Sequence, residues 1–126
     1  MALKANKTNC NPSMASAKSA FKRYRDGDLT FEKWYELSQT NCYYCDAPPS
    51  QTINIYTHKT DHKRSDYVIK NGNFVYNGLD RVDNSDGHNE DNCVPCCKNC
   101  NWAKAEMSIK EFKHWIKKVY KHFCQQ

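Results

Sequence analysis

Gly78-Leu79-Asp80-Arg81-Val82-Asp83-Asn84-Ser85-Asp86-Gly87-His88-Asn89-Glu90-Asp91-Asn92-Cys93-Val94-Pro95-Cys96-Cys97-Lys98-Asn99-Cys100-Asn101-Trp102-Ala103-Lys104 is the stretch on which the fold turns. It opens like a strand, runs through a polar loop at 84–92 that contains Gly87, returns as a short strand at 93–96, and passes through Cys97-x-x-Cys100 into a helix start. Two kinds of ligand chemistry are written into it. Thiolates are soft donors that suit zinc, whereas carboxylates and amides are hard oxygen donors that suit a cation such as Mg²⁺.

Upstream, Cys42-x-x-Cys45 repeats the spacing of Cys97-x-x-Cys100. Four thiolates at Cys42, Cys45, Cys97 and Cys100 would close a tetrahedral shell, and a closed shell is structural because no ligand position stays open. Residues 46–96 must then loop out and return to the ion. Cys93 and Cys96 form a further Cys-x-x-Cys and could compete for the metal. The 97/100 pair is preferred because Asn101-Trp-Ala-Lys-Ala-Glu continues from it as a helix, which puts both sulfurs on one side. Cys10 and Cys124 are left over near the termini. The chain has eight cysteines, an even number that also fits a disulfide framework. Knuckle spacing, and an N-terminus without a signal-like apolar run, favour zinc and a cell-interior, cytoplasmic protein.

The 126 residues fit one domain, with 1–38 as a basic helical part, 40–107 as a zinc-stapled core and 108–123 as a closing helix. Only 39% of residues are hydrophobic, and mean hydropathy is −0.95, so the core is small and a metal staple helps it. No stretch approaches the roughly 20 apolar residues of a membrane span. The net charge of +5 is unevenly spread. Residues 1–25 carry Lys4, Lys7, Lys18, Lys22, Arg23 and Arg25 with no acid, and residues 98–126 carry seven lysines against Glu106 and Glu111. Between these arms, residues 79–92 set Asp80, Asp83, Asp86, Glu90 and Asp91 against Arg81 alone. An acidic centre between basic arms suits a metal held against a polyanion, although a lysine-rich solvated surface explains the same pattern.

Apolar spacing at Met14, Ala17, Phe21 and Tyr24 predicts a helix over 13–25 that stops at Asp26-Gly27. A second helix is expected at 31–38, capped by Thr30 or Asp28. Ile53 and Ile55 alternate, which suits a short strand. Asn71-Gly72 between 67–70 and 73–76 reads as a two-residue hairpin, with its second strand running on toward Leu79 and Asp80. Ser108-x-x-Glu111 is a capping box. It opens a helix whose apolar face is Ile109, Phe112, Ile116, Val119 and Phe123. Trp34, Trp102 and Trp115 are expected in the core, His114 and His122 on the polar side of the last helix, and His58 and His62 in a solvated loop. Asp83 and Asp86 are expected to shape turns.

Cys42-x-x-Cys45, Tyr76-Asn-Gly-Leu-Asp-Arg-Val-Asp-Asn-Ser-Asp-Gly, Asp91-Asn-Cys-Val-Pro-Cys-Cys-x-x-Cys-Asn-x-x-Lys and Met107-Ser-x-x-Glu-Phe together resemble the HNH endonucleases of the His-Me finger superfamily. The likeness covers residues 40–120 and is to the zinc-containing branch of phages and large DNA viruses. It implies an α+β fold with a ββα-metal core and flanking helices. It further implies hydrolysis of DNA phosphodiester bonds, by nicking or double-strand cleavage, to a 5′-phosphate and a 3′-hydroxyl. By the same resemblance Asp80 and Asn101 are ligands of a catalytic Mg²⁺ or Mn²⁺. Asn92 braces the loop, Lys104 lies near the phosphate, and Zn²⁺ is structural. Lys22, Arg23 and Arg25, with Arg81 and Lys104, would hold the backbone of double-stranded DNA, and no membrane is involved.

Arg81 departs from the pattern, because the general-base His usually stands there. Arginine stays protonated and makes a poor base. Arg81 then serves as a phosphate clamp, with His88 as the base or as an exposed loop residue. Alternatively, metal-bound hydroxide dispenses with a side-chain base, or the fold is a catalytically weak or inactive zinc module that binds DNA.

Overall fold

The computed structural model describes residues 11–57 and 64–125. Cys10, His58, His62, Lys4 and Lys7 lie outside them. Helix α1 spans Pro12–Phe21. The Asn11 side chain accepts from the Met14 N–H, and Pro12 stands where a helix has no use for its missing donor. The chain then tightens into a 3₁₀ turn at Lys22–Tyr24, so the expected 13–25 helix is two elements. Helix α2 spans Phe31–Ser38, with Thr30 accepting from the Lys33 N–H at its start. Trp34 of α2 is fully buried at the centre of the core. Phe21, Tyr24, Phe31, Phe74 and Tyr76 surround it at ring distances of 5.9–6.1 Å.

The architecture is α+β, with two small antiparallel sheets. Strand β1 (Gln51–Ile53) pairs with β2 (Phe74–Tyr76). Strand β3 (Gly78–Arg81) pairs with β4 (Cys93–Cys96), placing Asp80 opposite Val94 and Arg81 opposite Cys93. The hairpin expected at Asn71-Gly72 is absent. Asp66–Asn71 is instead a helix, α3, because Ser65 caps it by accepting from the Val68 N–H and Asn71 donates back to the Tyr67 carbonyl. Gly72 keeps a negative φ of −88°, so it does not form the primed turn that such a hairpin needs. The expected run from β2 into β3 also breaks, at Asn77. Its N–H donates to the Ser38 carbonyl at 2.8 Å, and its side-chain amide donates to the carbonyls of Thr40 and Ala47. One fully buried amide thus ties the 42–47 turn to the junction between the sheets.

Helix α4 (Lys98–Lys104) follows β4 directly, and helix α5 (Ile109–Val119) continues into a π turn at Tyr120–Cys124. Both halves of the Ser108–Glu111 capping box form. The predicted apolar face of α5 is buried only at its start. Phe112 meets the Tyr44 ring edge-on at 5.5 Å, whereas Ile116 is 45% exposed and Phe123 77%. The helix docks by its first turns and then leaves the body of the protein. Trp102 and Trp115 are exposed as well, contrary to the core position expected for them; Trp115 stacks on Phe112 at 6.3 Å, and Lys98 Nζ lies over the Trp102 ring. Among the described residues, no helix is long and apolar enough to cross a membrane.

Candidate metal centre and adjoining groove

The two cysteine pairs meet. The sulfurs of Cys42, Cys45, Cys97 and Cys100 all lie within 4.8 Å of one another, and Cys45 and Cys97 are 3.6 Å apart. Zinc–sulfur bonds of about 2.3 Å give a tetrahedron with edges of roughly 3.8 Å, so the donor set fits such an ion. Local geometry explains the convergence. The Cys42 N–H donates to the Ala47 carbonyl, and the Asp46 N–H donates to the Cys42 carbonyl. Asp46 takes a positive φ of 65° to close the turn. The Tyr43 N–H donates to the Pro95 carbonyl and fastens this turn to β4. On the other side Cys97 caps α4, accepting at its sulfur from the Cys100 N–H.

Cys93 and Cys96 are not part of the cluster. Cys93 packs in the hydrophobic core, where burial pushes its thiol up to about 11. Burial also raises the Cys96 thiol. Burial works against the Cys42 thiolate too, but N–H groups of Cys97, Cys45 and Tyr44 donate to its sulfur and bring it down to about 7. A thiol near neutrality gives up its proton readily to a metal.

Beyond Cys100, the same helix forms one wall of a groove of about 280 Å³. Asp80 and Arg81 reach it from β3, Asn101 from α4, His88 from the long loop, and Arg23 and Tyr24 from the 3₁₀ turn. Asp80 is buried, with Oδ2 accepting from the Tyr44 hydroxyl at 2.6 Å. The same oxygen lies 3.0 Å from Lys104 Nζ. Lys104 was expected at the phosphate. It is instead wholly buried against Asp80, and apart from that charge contact its ammonium has no well-aligned hydrogen bond. Burial and the Asp80 carboxylate together raise the Tyr44 hydroxyl above its ordinary range, so Tyr44 stays a donor to Asp80. Asp80 Oδ1 has no hydrogen-bond partner among the described residues.

Arg81 donates from Nη1 to the Asp86 carbonyl at 3.1 Å. Asn92 is buried and spans the loop. Its Oδ1 accepts from the Asp83 N–H at 2.8 Å, and its Nδ2 donates to the carbonyls of Asp83 and Gly87 at 3.0 Å. Asp83 and Asp86 shape the turns between them by accepting from Ser85 and Gly87. Lys22, Arg23 and Arg25 are exposed, and Arg23 alone of the three borders the groove. His88 is not the exposed loop residue that one reading of the sequence made it. Its side chain is 16% exposed, and its Nδ1 lies 2.6 Å from Asp26 Oδ1. Sequence reasoning missed both Asp26 and Tyr44. Asp26 looks like a helix stop and Tyr44 like part of a knuckle, and no local spacing links either to a partner 62 or 36 residues away.

Comparison with known proteins gives distant likenesses. The chain is 31% identical over 84 residues to an uncharacterized protein of Acanthamoeba polyphaga mimivirus, covering 67% of this chain and 12% of that one. It is 22% identical over 111 residues to the "SPbeta prophage-derived putative HNH endonuclease YoqL" of Bacillus subtilis (strain 168), covering 86% of this chain and 41% of that protein. The chain therefore spans less than half the length of either relative. No protein-family model matches it, and neither does any solved structure. What stands is an α+β chain with a four-cysteine cluster suited to zinc, related to a viral protein and distantly to one named as an HNH endonuclease.

Proposed function

We propose that the chain is a divalent-metal-dependent endonuclease of the HNH type that hydrolyses DNA phosphodiester bonds. The observation that carries this reading is one groove. The β3–β4 hairpin and the helix after it bring Asp80, Arg81 and Asn101 to the same opening, beside a cluster able to hold a structural zinc. The distant likeness to a prophage protein named as an HNH endonuclease supports it. In this reading residues 40–107 are a ββα-metal core, flanked by basic helices.

The donor chemistry fits a hard cation. Oδ1 of Asp80 and the amide oxygen of Asn101 are the oxygens available for Mg²⁺ or Mn²⁺, which keeps water or phosphate oxygens at its other positions. Bound there, the ion would supply charge stabilisation to the leaving 3′ oxygen. Lys104 and Tyr44 hold Asp80 in place from behind. Arg81, anchored at one nitrogen to the loop, has other N–H groups to offer a phosphate. Arg23 at the rim, with Lys22 and Arg25 beyond it, would hold the backbone without reading bases, so affinity would fall steeply with salt.

A specific observation favours a second reading, a weak or silent HNH fold that binds DNA. One oxygen of Asp80 is already committed to an ammonium and a phenol. Supercoiled-plasmid nicking with Mg²⁺ or Mn²⁺ separates the two. Cleavage that disappears in both Asp80→Ala and Asn101→Ala supports the enzyme. Salt-dependent binding without cleavage under either metal supports the module.

A further inference from the structure

We propose that His88, aligned by Asp26, is the general base of this groove, delivered by the loop and the N-terminal segment rather than by the strand position that Arg81 occupies. This rests on the nuclease reading above and adds to it the group that takes the proton and the residue that positions it.

The ring of His88 is held from two directions, and its backbone from two more. Nδ1 lies 2.6 Å from Asp26 Oδ1. The Tyr24 ring meets it edge-on at 5.0 Å. Its backbone N–H donates to the same Asp26 oxygen at 3.3 Å, and its carbonyl accepts from the Leu29 N–H. A carboxylate only accepts, so Nδ1 carries the hydrogen and Nε2 is left as the basic nitrogen. The His88 hydrogen bond holds the Asp26 carboxyl below its ordinary range, which keeps it an acceptor.

Two further hydrogen bonds join the segments. The Asp28 N–H donates to Asn89 Oδ1, and the Glu90 N–H donates to Asp28 Oδ1, both at 2.9 Å. Gly27 and Gly87 make this approach possible. A Cβ at Gly27 would come within 2.5 Å of the His88 backbone, and one at Gly87 within 2.5 Å of the Asp26 carbonyl. So much fixed geometry is more than an incidental loop histidine needs.

The rest of the groove offers no comparable base. On β3, Arg81 is a permanent cation and Asp80 is tied to Lys104. On the N-terminal segment, Arg23 is cationic, and burial raises the Tyr24 hydroxyl further from use. At the far wall Glu106 is a carboxylate, a class whose basicity lies well below neutrality. The other charges near His88 are Asp28 beside its partner, Asp86 and Glu90 on its own loop, and Arg23 and Arg81 lining the same groove.

In the step assigned here, Nε2 of His88 takes one proton from an attacking water. The water's electron pair forms the new P–O bond. The P–O3′ bond breaks, its pair leaves on the 3′ oxygen, and that oxygen takes a proton from solvent. His88 then returns its proton to solvent. Base catalysis of this kind is worth about 10²- to 10⁴-fold.

The test uses the full chain on supercoiled plasmid, with His88→Ala, His88→Gln, Asp26→Asn, Asp26→Glu and Asp80→Ala compared at equal zinc content and helicity. His88→Ala and His88→Gln are expected to lose about 10²-fold or more, and added imidazole to restore part of the His88→Ala loss. Asp26→Asn removes the carboxylate that accepts from Nδ1 and aligns the ring, so cleavage is expected to fall, and Asp26→Glu, which keeps an accepting carboxylate, is expected to restore part of it. Cleavage that needs Asp80 but is indifferent to His88 would overturn this inference alone. A chain that never cleaves, or cleaves without Asp80, would overturn the nuclease reading with it.

Discussion

The sulfur cluster and the groove share one short helix and differ in nearly everything else. Cys97 and Cys100 sit at the start of α4, and Asn101 and Lys104 follow on the same seven residues. The sulfur cluster has four protein donors and leaves nothing for solvent to supply. The groove has a carboxylate with one oxygen engaged, an exposed amide, and arginine at its edge. A closed donor set stores folding energy, whereas an open one waits for a ligand. The same helix thus carries the sulfur cluster at one end and lines the groove at the other.

The sharpest way to break this contrast is to remove a sulfur. Cys42→Ser or Cys97→Ser is expected to abolish stoichiometric zinc binding and the folded far-UV circular dichroism together. Structural zinc contributes on the order of 10 kcal/mol in small domains. A strong zinc chelator should do the same to the unaltered chain, and a chain that kept its spectrum after losing the ion would end the idea of a staple. Next in size is the buried ion pair. Lys104→Met leaves Asp80 without its charge partner and should cost about 3–5 kcal/mol in denaturant unfolding. The zinc content of the remaining folded protein should not change. A neutral result would mean that the two side chains are not held together in solution.

The loop brace comes third. Asn92→Ala removes three hydrogen bonds and strands the Asp83 N–H, so unfolding free energy should fall by about 1–3 kcal/mol. Amide exchange should speed up at 83–89 and not at 42–47, which would separate the groove from the cluster in one measurement. The smallest expected effect is at the cap of α5. Ser108→Ala should lower stability by about 1 kcal/mol through loss of the capping box, with metal content unaltered.

How much of this could be read in the chain depends on the range of the interaction. Cys-x-x-Cys is a local spacing with a fixed chemical meaning, so the cluster was legible even though Cys45 and Cys97 stand 52 positions apart. Helix caps are equally local, and Thr30 and Ser108 act where the sequence puts them. The Asn71-Gly72 hairpin failed because a capping serine six residues upstream favoured a helix, and no pattern weighs that competition. Lys104 failed for a different reason. Its burial is decided by Asp80 on another element, and a lysine after a helical asparagine looks as if it belongs in solvent. The same holds for Asp26, whose role exists only once two loops have come together. On α5, periodicity located the apolar stripe, but whether anything covers Ile116 or Phe123 is a tertiary matter.

That Cys100 and Asn101 are adjacent on α4 leaves no slack between the staple and the groove. Each residue of an α-helix turns about 100° and rises 1.5 Å. One residue inserted after Cys100 would swing the amide a quarter-turn or more out of the opening while the thiolates stayed put. Such a protein would keep its four thiolates for zinc, yet present a blank wall where Asn101 now stands and turn Lys104 away from Asp80. Phase along seven residues is what this arrangement has least freedom to change.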